Sequence, residues 1–336
     1  MTATDVFYRN VAKRYPTAAR GAGVYIFDDA GKRYLDGCSG ALVANLGHGR
    51  RELFADLAPA ELDFFHTSQF TNVAQERLAR ALAELTPPGL RHTYFVSGGS
   101  EANETALKIA YQYHRHRGNP GKTRIVSKNP SYHGNTLGAL GASVHRGRRR
   151  PVEALLAKPI SVEPQLCAGC RYLPSCDACA TAWAAAFERA ILAAGPETVG
   201  TFICETVTGS SCAAYAPPAA FFGAMRAICD RHDIVYIADE VMCGMGRTGT
   251  PFAIQQMGVA PDIITTAKGI SAGYAPLGAA IVHDRIFKVF LEHGTFNHGF
   301  TNVGSPIATA IGSRVLATYR AGDLFAQAAA RGQRLR

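Results

Sequence analysis

Three short segments carry residue types that could act together on an anionic, nitrogen-containing ligand. The first is Phe95-Val96-Ser97-Gly98-Gly99-Ser100-Glu101-Ala102, an apolar run that enters a Gly-Gly-Ser turn and leaves into a helix-forming stretch. Backbone N–H groups at a helix start, with the Ser100 hydroxyl beside them, make an anion site, and a phosphate is its natural occupant. A plain glycine turn reads the same way locally. The second is Ile234-Val235-Tyr236-Ile237-Ala238-Asp239-Glu240-Val241, a strand-like run ending in two carboxylates. Carboxylates at such ends face the ligand crevice of an open α/β sheet. A magnesium role would need a GxxxxGK[ST] loop, and the sequence has none. The other reading is an Asp that holds a heterocyclic nitrogen protonated, an ion pair whose attraction outweighs desolvation. The third is Asp262-Ile263-Ile264-Thr265-Thr266-Ala267-Lys268-Gly269, where a lysine closes an otherwise apolar strand. A surface lysine fits that pattern too. The apolar approach and the glycine-rich sequel favour a partly desolvated amine, freed for Schiff-base chemistry by a lowered pKa. Anion turn, carboxylate and amine together are what pyridoxal phosphate requires: an anchor for its phosphate, a charge for its ring nitrogen and a partner for its aldehyde.

These side chains need a scaffold of strands that all end at one edge. Strand-like apolar runs alternate with helical segments, the pattern of an α/β fold with a largely parallel sheet. Strands are expected at 93–97, 124–127, 200–205, 234–239, 262–266 and 278–282. Near-continuous runs such as Ile234–Ile237 suit strands buried on both faces. Helices are expected at 101–115, 180–194 and 218–231, and a long one runs from Pro306 to the end. Val24–Phe27 and Arg33–Leu35, joined by Asp-Asp-Ala-Gly, read as a β-hairpin of a smaller lobe.

Composition narrows the class. Of the 336 residues 47% are hydrophobic and 18% charged, enough apolar matter for a substantial core. The net charge of +9 raises nucleic acid or membrane partners. We expect neither. The dense basic run, Arg146, Arg148, Arg149 and Arg150, has no interleaved aromatics and reads as a solvated loop. The sequence has no apolar stretch of about 18 residues and no signal-like N-terminus, and nine cysteines in such a chain suggest a reducing, cytoplasmic setting.

The segments SGGSEANETALKIA, SYHGNTLGALGAS, IADEVMCGMGRTGT, DIITTAKGISAGYAPLGA and FNHGFTNVGSP resemble the motifs of class III aminotransferases, in family order from about Gly23 to Pro306. The resemblance implies a fold type I transferase with a mostly parallel seven-stranded sheet, and pyridoxal 5'-phosphate as cofactor. It divides the chain into residues 1–48 in a small lobe, 49–305 as the large cofactor-binding domain, and a linking helix over 306–336. It implies that Lys268 binds the cofactor and moves the proton, that Asp239 pairs with the ring nitrogen, and that Tyr132 and Val241 cover the two ring faces. Gly99 and Ser100 would hold the phosphate, with Thr301 reaching the phosphate of a neighbouring subunit, so a homodimer is expected. His133 is expected beside the cofactor in a structural role, and Glu205 near the substrate carboxylate. The reaction implied moves an amino group from an amine or ω-amino acid to a 2-oxo acid. A decarboxylase or aminomutase would share the same residues, and a cofactor-binding fragment without turnover is the third possibility.

The sequence departs from the family pattern in places. Met242 stands where many members have a glutamine that can hydrogen-bond the ring oxygen, as in members acting on amines and ω-amino compounds. Ser305 replaces a common histidine. The family continues past the position of Arg336 into a small domain with an arginine for the substrate carboxylate. The expectation is therefore of cofactor capture with slow turnover, lower by about two or three decades if one bidentate charged contact is lost in the transition state.

Cys167, Cys170, Cys176 and Cys179 form two CxxC pairs. Four thiolates can close a tetrahedral zinc site. The loop between the pairs is short for a ribbon or finger, which favours free thiols and no metal. Cys38, Cys204, Cys212, Cys229 and Cys243 are expected to be buried small residues, and His48 a loop histidine.

Overall fold

Strands β7 (Val199–Glu205) and β8 (Val235–Asp239) are buried along their whole length, as continuous apolar runs demand when both sheet faces are covered. They lie at the centre of a computed structural model that describes residues 4–66 and 69–335. The other strands, in chain order, are β1 (Ala18–Ala22), β2 (Tyr25–Asp28), β3 (Arg33–Leu35), β4 (Leu90–Val96), β5 (Arg124–Lys128), β6 (Ile160–Val162), β9 (Ile263–Thr266) and β10 (Gly278–His283). Seven of them form one sheet in the order β4-β10-β9-β8-β7-β5-β6. All run the same way except β10, which is antiparallel to both neighbours. The C-terminal ends of β4, β7, β8 and β9 therefore open on one edge, where ligands of open α/β sheets bind.

Alternation along the strands divides the core into two layers. Ile203, Val235, Ile237 and Ile263 meet Ala106, Ile109, Ala110 and Tyr113 of the Gly99–His116 helix. On the opposite face Phe202 and Tyr236 meet Trp183, Phe187, Phe221 and Phe222 from the helices Asp177–Ala194 and Ala219–Arg231. The Trp183 indole donates to the Val162 carbonyl at 3.0 Å and pins its helix to edge strand β6. The strands β1, β2 and β3 make a separate antiparallel sheet that contains the expected hairpin.

Three expectations need correction. The stretch after Pro306 is two helices, Pro306–Ala321 and Leu324–Leu335; Gly322 caps the first, and Asp323 turns the chain with φ +46. Ser305 is the N-cap of the first, its hydroxyl accepting from the Ala308 N–H at 3.5 Å. The basic run is not all solvated. Arg149 is buried, and its guanidinium donates to the carbonyls of Leu140, Gly141, Ser143 and Ala157. Arg148 leans over the Tyr132 ring at 5.0 Å. Of the scattered cysteines, Cys38 is exposed and Cys212 half-buried, because both lie in loops rather than in the core. Among the described residues no helix is long and apolar enough to cross a membrane.

Asp262, just before β9, ties the layers together. One carboxylate oxygen accepts from the Tyr236 N–H at 2.8 Å and Arg226 Nη1 at 3.0 Å; the other accepts from Arg285 Nε at 2.7 Å. Removing one partner of a buried ion pair strands the others. Asp262→Ala is expected to lower the unfolding free energy by about 3 kcal/mol in urea titration. A loss within the scatter of ordinary surface substitutions, about 0.5 kcal/mol, would contradict this role.

Candidate active site

Parallel strands in register deliver side chains to the same level of the sheet. Glu205 ends β7 and Asp239 ends β8, and the two are direct register partners; Asp239 is in turn level with Thr265 of β9. All three therefore project from one face of the sheet edge, toward the Gly99–His116 helix. The helix answers with Asn103. Its amide donates to Asp239 Oδ2 at 2.9 Å and to the His133 carbonyl at 2.6 Å, while its Oδ1 accepts from the Thr265 hydroxyl at 2.7 Å. His133 Nδ1 lies 2.8 Å from the same Oδ2, so this nitrogen carries the proton and donates. The Val241 N–H donates to Oδ1 at 3.0 Å. Asp239 is thus held in one orientation by three donors, and it is 3% exposed.

Glu205 is fixed independently. Its carboxylate accepts from the N–H groups of Tyr132 and Gly209, at 2.9 and 3.1 Å, and from the Ser211 hydroxyl at 3.0 Å. Glu240, the second acid of the Asp-Glu pair, has turned away. Its side chain is fully buried and receives the N–H groups of Ala253 and Ile254 at 2.8 Å, together with the Thr206 hydroxyl. Burial pushes its carboxyl above the usual carboxylate range, and its place is in the scaffold.

Lys268 follows β9 and sits with φ +50, a left-handed conformation that costs a non-glycine residue about 1–2 kcal/mol. The surroundings impose it. The Tyr319 hydroxyl donates to the Gly269 carbonyl at 2.7 Å, and a Cβ at Gly269 would lie 2.6 Å from the Asn45 amide nitrogen. The amine turns into the site, where Nζ donates to Met242 Sδ at 3.1 Å. Burial pushes this amine below its ordinary value; Asp239 and Glu205 pull it upward, and burial prevails.

These groups line one cavity of about 980 Å³, together with Ser97, Gly98, Gly99, Ser100, Tyr132, His133, Val241 and Met242. Gly98 caps the 18-residue Gly99–His116 helix, whose first N–H groups and positive end face that space. Glycine at 99 lets the turn approach Val241: a Cβ there would stand 2.6 Å from Val241 Cγ1. Gly37, Cys38, Gly40 to Val43 and Tyr274 also line it. The structure brings together every site residue expected from the sequence except Thr301, which is exposed and outside this cavity. His48 is tied to Asp36, Nε2 to Oδ2, at 2.9 Å.

The donor set fits pyridoxal phosphate. An amine, a carboxylate and a helix N-terminus converge on one cavity, each from a different strand end, and they match an aldehyde, a ring nitrogen and a phosphate. The sequence reading missed Asn103, whose position inside a helix gives no local sign of a partner. Because burial depresses the Lys268 pKa, the neutral amine persists to lower pH than an ordinary lysine allows. Competitive acetylation of the cofactor-free chain across pH, read by peptide mass spectrometry, is expected to give Lys268 a midpoint below the model-peptide value of about 10.4. A midpoint at or above that value would show the amine to be solvated.

Comparison with known proteins identifies the family. The profile of the family described as aminotransferase class-III matches residues 7–336. A probable aminotransferase of Mycobacterium tuberculosis is 40% identical over 304 residues, covering 89% of this chain and 65% of that protein. The putrescine–pyruvate aminotransferase of Pseudomonas aeruginosa is 36% identical over 296 residues, covering 86% of this chain and 64% of its own length. The chain thus spans about two thirds of the length of these relatives. The ω-transaminase of Pseudomonas jessenii, solved in complex with PMP, superposes with a TM-score of 0.87 at 32% identity, covering 96% of this chain and 73% of that one. With the family match over nearly the whole chain and the shared α/β fold, this chain belongs to the class III aminotransferase family.

Proposed function

We propose that the protein is a pyridoxal-phosphate-dependent transaminase that moves an amino group from an amine or ω-amino acid to a 2-oxo acid such as pyruvate. The observation that carries this reading is the convergence of the partly buried Lys268 amine and the thrice-bonded Asp239 carboxylate on one cavity. The putrescine–pyruvate and ω-transaminase relatives support an amine donor. When bound, the cofactor supplies an aldehyde for amine exchange and a protonated ring that withdraws electrons from the reacting carbon.

The residues then divide the work. Lys268 Nζ would hold the cofactor, and the same amine is placed to remove and return the proton of the amine-bearing carbon. Its resting contact is the Met242 thioether, a weak acceptor that leaves the amine available for attack. Asp239 would keep the ring nitrogen charged, and His133 and Asn103 keep Asp239 aimed. Gly99 and Ser100 would present N–H groups to the phosphate. Tyr132 and Val241 would flank the ring, and Glu205 would orient the substrate side of the pocket. Thr301, exposed in its own subunit, contributes to the neighbour's phosphate site in a homodimer.

The test is a single preparation of the chain with pyridoxal phosphate. Borohydride reduction should fix the pyridoxyl group on Lys268, light scattering should give a dimer, and an amine donor with pyruvate should yield alanine. Label on another lysine refutes the attachment, a fully loaded monomer refutes the Thr301 role, and carbon dioxide release in place of alanine refutes transamination.

Asp239→Asn should retain cofactor and lose turnover. An asparagine carries no charge to hold a ring nitrogen protonated, and its amide nitrogen cannot replace the second accepting oxygen. The expected loss in kcat is about 100-fold or more, the scale for removing one electrostatic contact to developing charge. Turnover within a factor of about 3, well under 1 kcal/mol of barrier, would refute the assignment.

A further inference from the structure

Behind the site, between β6 and the Asp177–Ala194 helix, the two CxxC pairs fold onto each other. The sulfurs of Cys167, Cys170, Cys176 and Cys179 all lie within 4.8 Å of one another. Cys167 Sγ and Cys170 Sγ each stand 3.8 Å from Cys176 Sγ. For Zn–S bonds of about 2.3 Å, a regular tetrahedron has edges of about 3.8 Å. We propose that these four cysteines bind one structural zinc ion as a closed four-thiolate site. The expectation of free thiols rested on the short loop between the pairs. The loop is short because the helix itself supplies the second pair: Cys176 is its N-cap and Cys179 lies in its first turn.

Several features support the ion. The Cys167–Cys170 pair closes a tight turn, with the Cys170 N–H donating to the Cys167 carbonyl at 3.0 Å. Backbone N–H groups already point at the sulfurs, from Cys167 to Cys179 Sγ at 3.0 Å and from Ser175 to Cys170 Sγ at 3.4 Å. The Ser175 hydroxyl adds a contact to Cys170 Sγ at 3.1 Å. The positive end of an 18-residue helix abuts the cluster and favours thiolates. Soft thiolate ligands in a tetrahedron select zinc among abundant divalent ions. Binding is redox-neutral: each thiol yields its proton to solvent, no electron moves, and a doubly negative four-thiolate centre remains. A disulfide would need the sulfurs at about 2.05 Å.

The ion's role follows from one contact. The Tyr215 hydroxyl donates to the Pro174 carbonyl, inside the cysteine loop, at 2.8 Å. Tyr215 is also braced to Thr208, whose N–H donates to the Tyr215 carbonyl at 2.8 Å. Between them lie Gly209 and Ser211, two of the three donors that fix Glu205. The zinc centre is a positioning device for that wall of the pocket, and it touches no reacting atom.

The test uses the full chain, expressed with zinc supplied and purified under reducing conditions. Elemental analysis should find one zinc per chain that survives EDTA dialysis. Mercurial titration should release it as four thiols react, and cobalt(II) substitution should give intense thiolate-to-metal absorption. Cys167→Ser and Cys179→Ser should lose the metal, whereas Cys38→Ser should keep it. Hydrogen exchange across 208–215 should quicken on zinc removal. A chain that remains zinc-free after reconstitution under reducing conditions would overturn the proposal. So would iron in place of zinc, disulfides within the cluster, or zinc retained by Cys167→Ser.

Discussion

A carboxylate cut off from water must find donors inside the protein, or it costs several kcal/mol to keep there. Asp239 meets that demand with three donors, and the architecture of the site follows from where those donors come from. One is its own turn at Val241, one is the Asn103 amide from the Gly99–His116 helix, and one is the His133 imidazole from the segment after β5. Asn103 also joins Thr265 and the His133 backbone. A single charged position thus stitches β8, β9, the following loop and the covering helix into one unit. The same helix presents its N-terminus to the cavity, so the anchoring of Asp239 also sets the direction of the anion site.

Around this unit the chain spends conformational energy where chemistry needs it. Lys268 holds a left-handed conformation that packing imposes from two sides, the Tyr319 hydroxyl on the Gly269 carbonyl and the crowding of Asn45 against Gly269. This links the Pro306–Ala321 helix and residues of the N-terminal region to the placement of one amine. The cysteine loop acts from the other side, through Pro174 and Tyr215, on the backbone that grips Glu205.

The central strands were legible because strands buried on both faces are predominantly apolar, as the runs in β7 and β8 before their terminal carboxylates are. Asp239 and Lys268 stood out because each closes such a run beside a turn, whereas Glu205 came from the family resemblance alone. Asn103 was not legible: its partners lie 30, 136 and 162 residues away, and nothing in its own helix requires it. The three-residue β6 is too short to show a period, and its place at the sheet edge depends on the Trp183 indole. The Val73–Ala83 helix carried a readable stripe in Leu78 and Leu82, yet it was not among the expected elements. The break at Gly322 was marked by its glycine, but the apolar period continued across it. Arg149 defied a charge-based reading because a guanidinium can satisfy several carbonyls at once, and only the folded turn brings those carbonyls together.

The register between β7 and β8 places Glu205 and Asp239 on one face at one level. Side chains alternate along a strand, so inserting or deleting one residue within Val235–Asp239 would swing the Asp239 carboxylate to the layer occupied by Phe221 and Trp183, where no amide or imidazole awaits it. Surface connections such as the turn between β2 and β3 face no such constraint. Insertion scanning should therefore find a sharply bounded zone of intolerance at these strand ends, set by the parity of the strand rather than by its hydrophobicity.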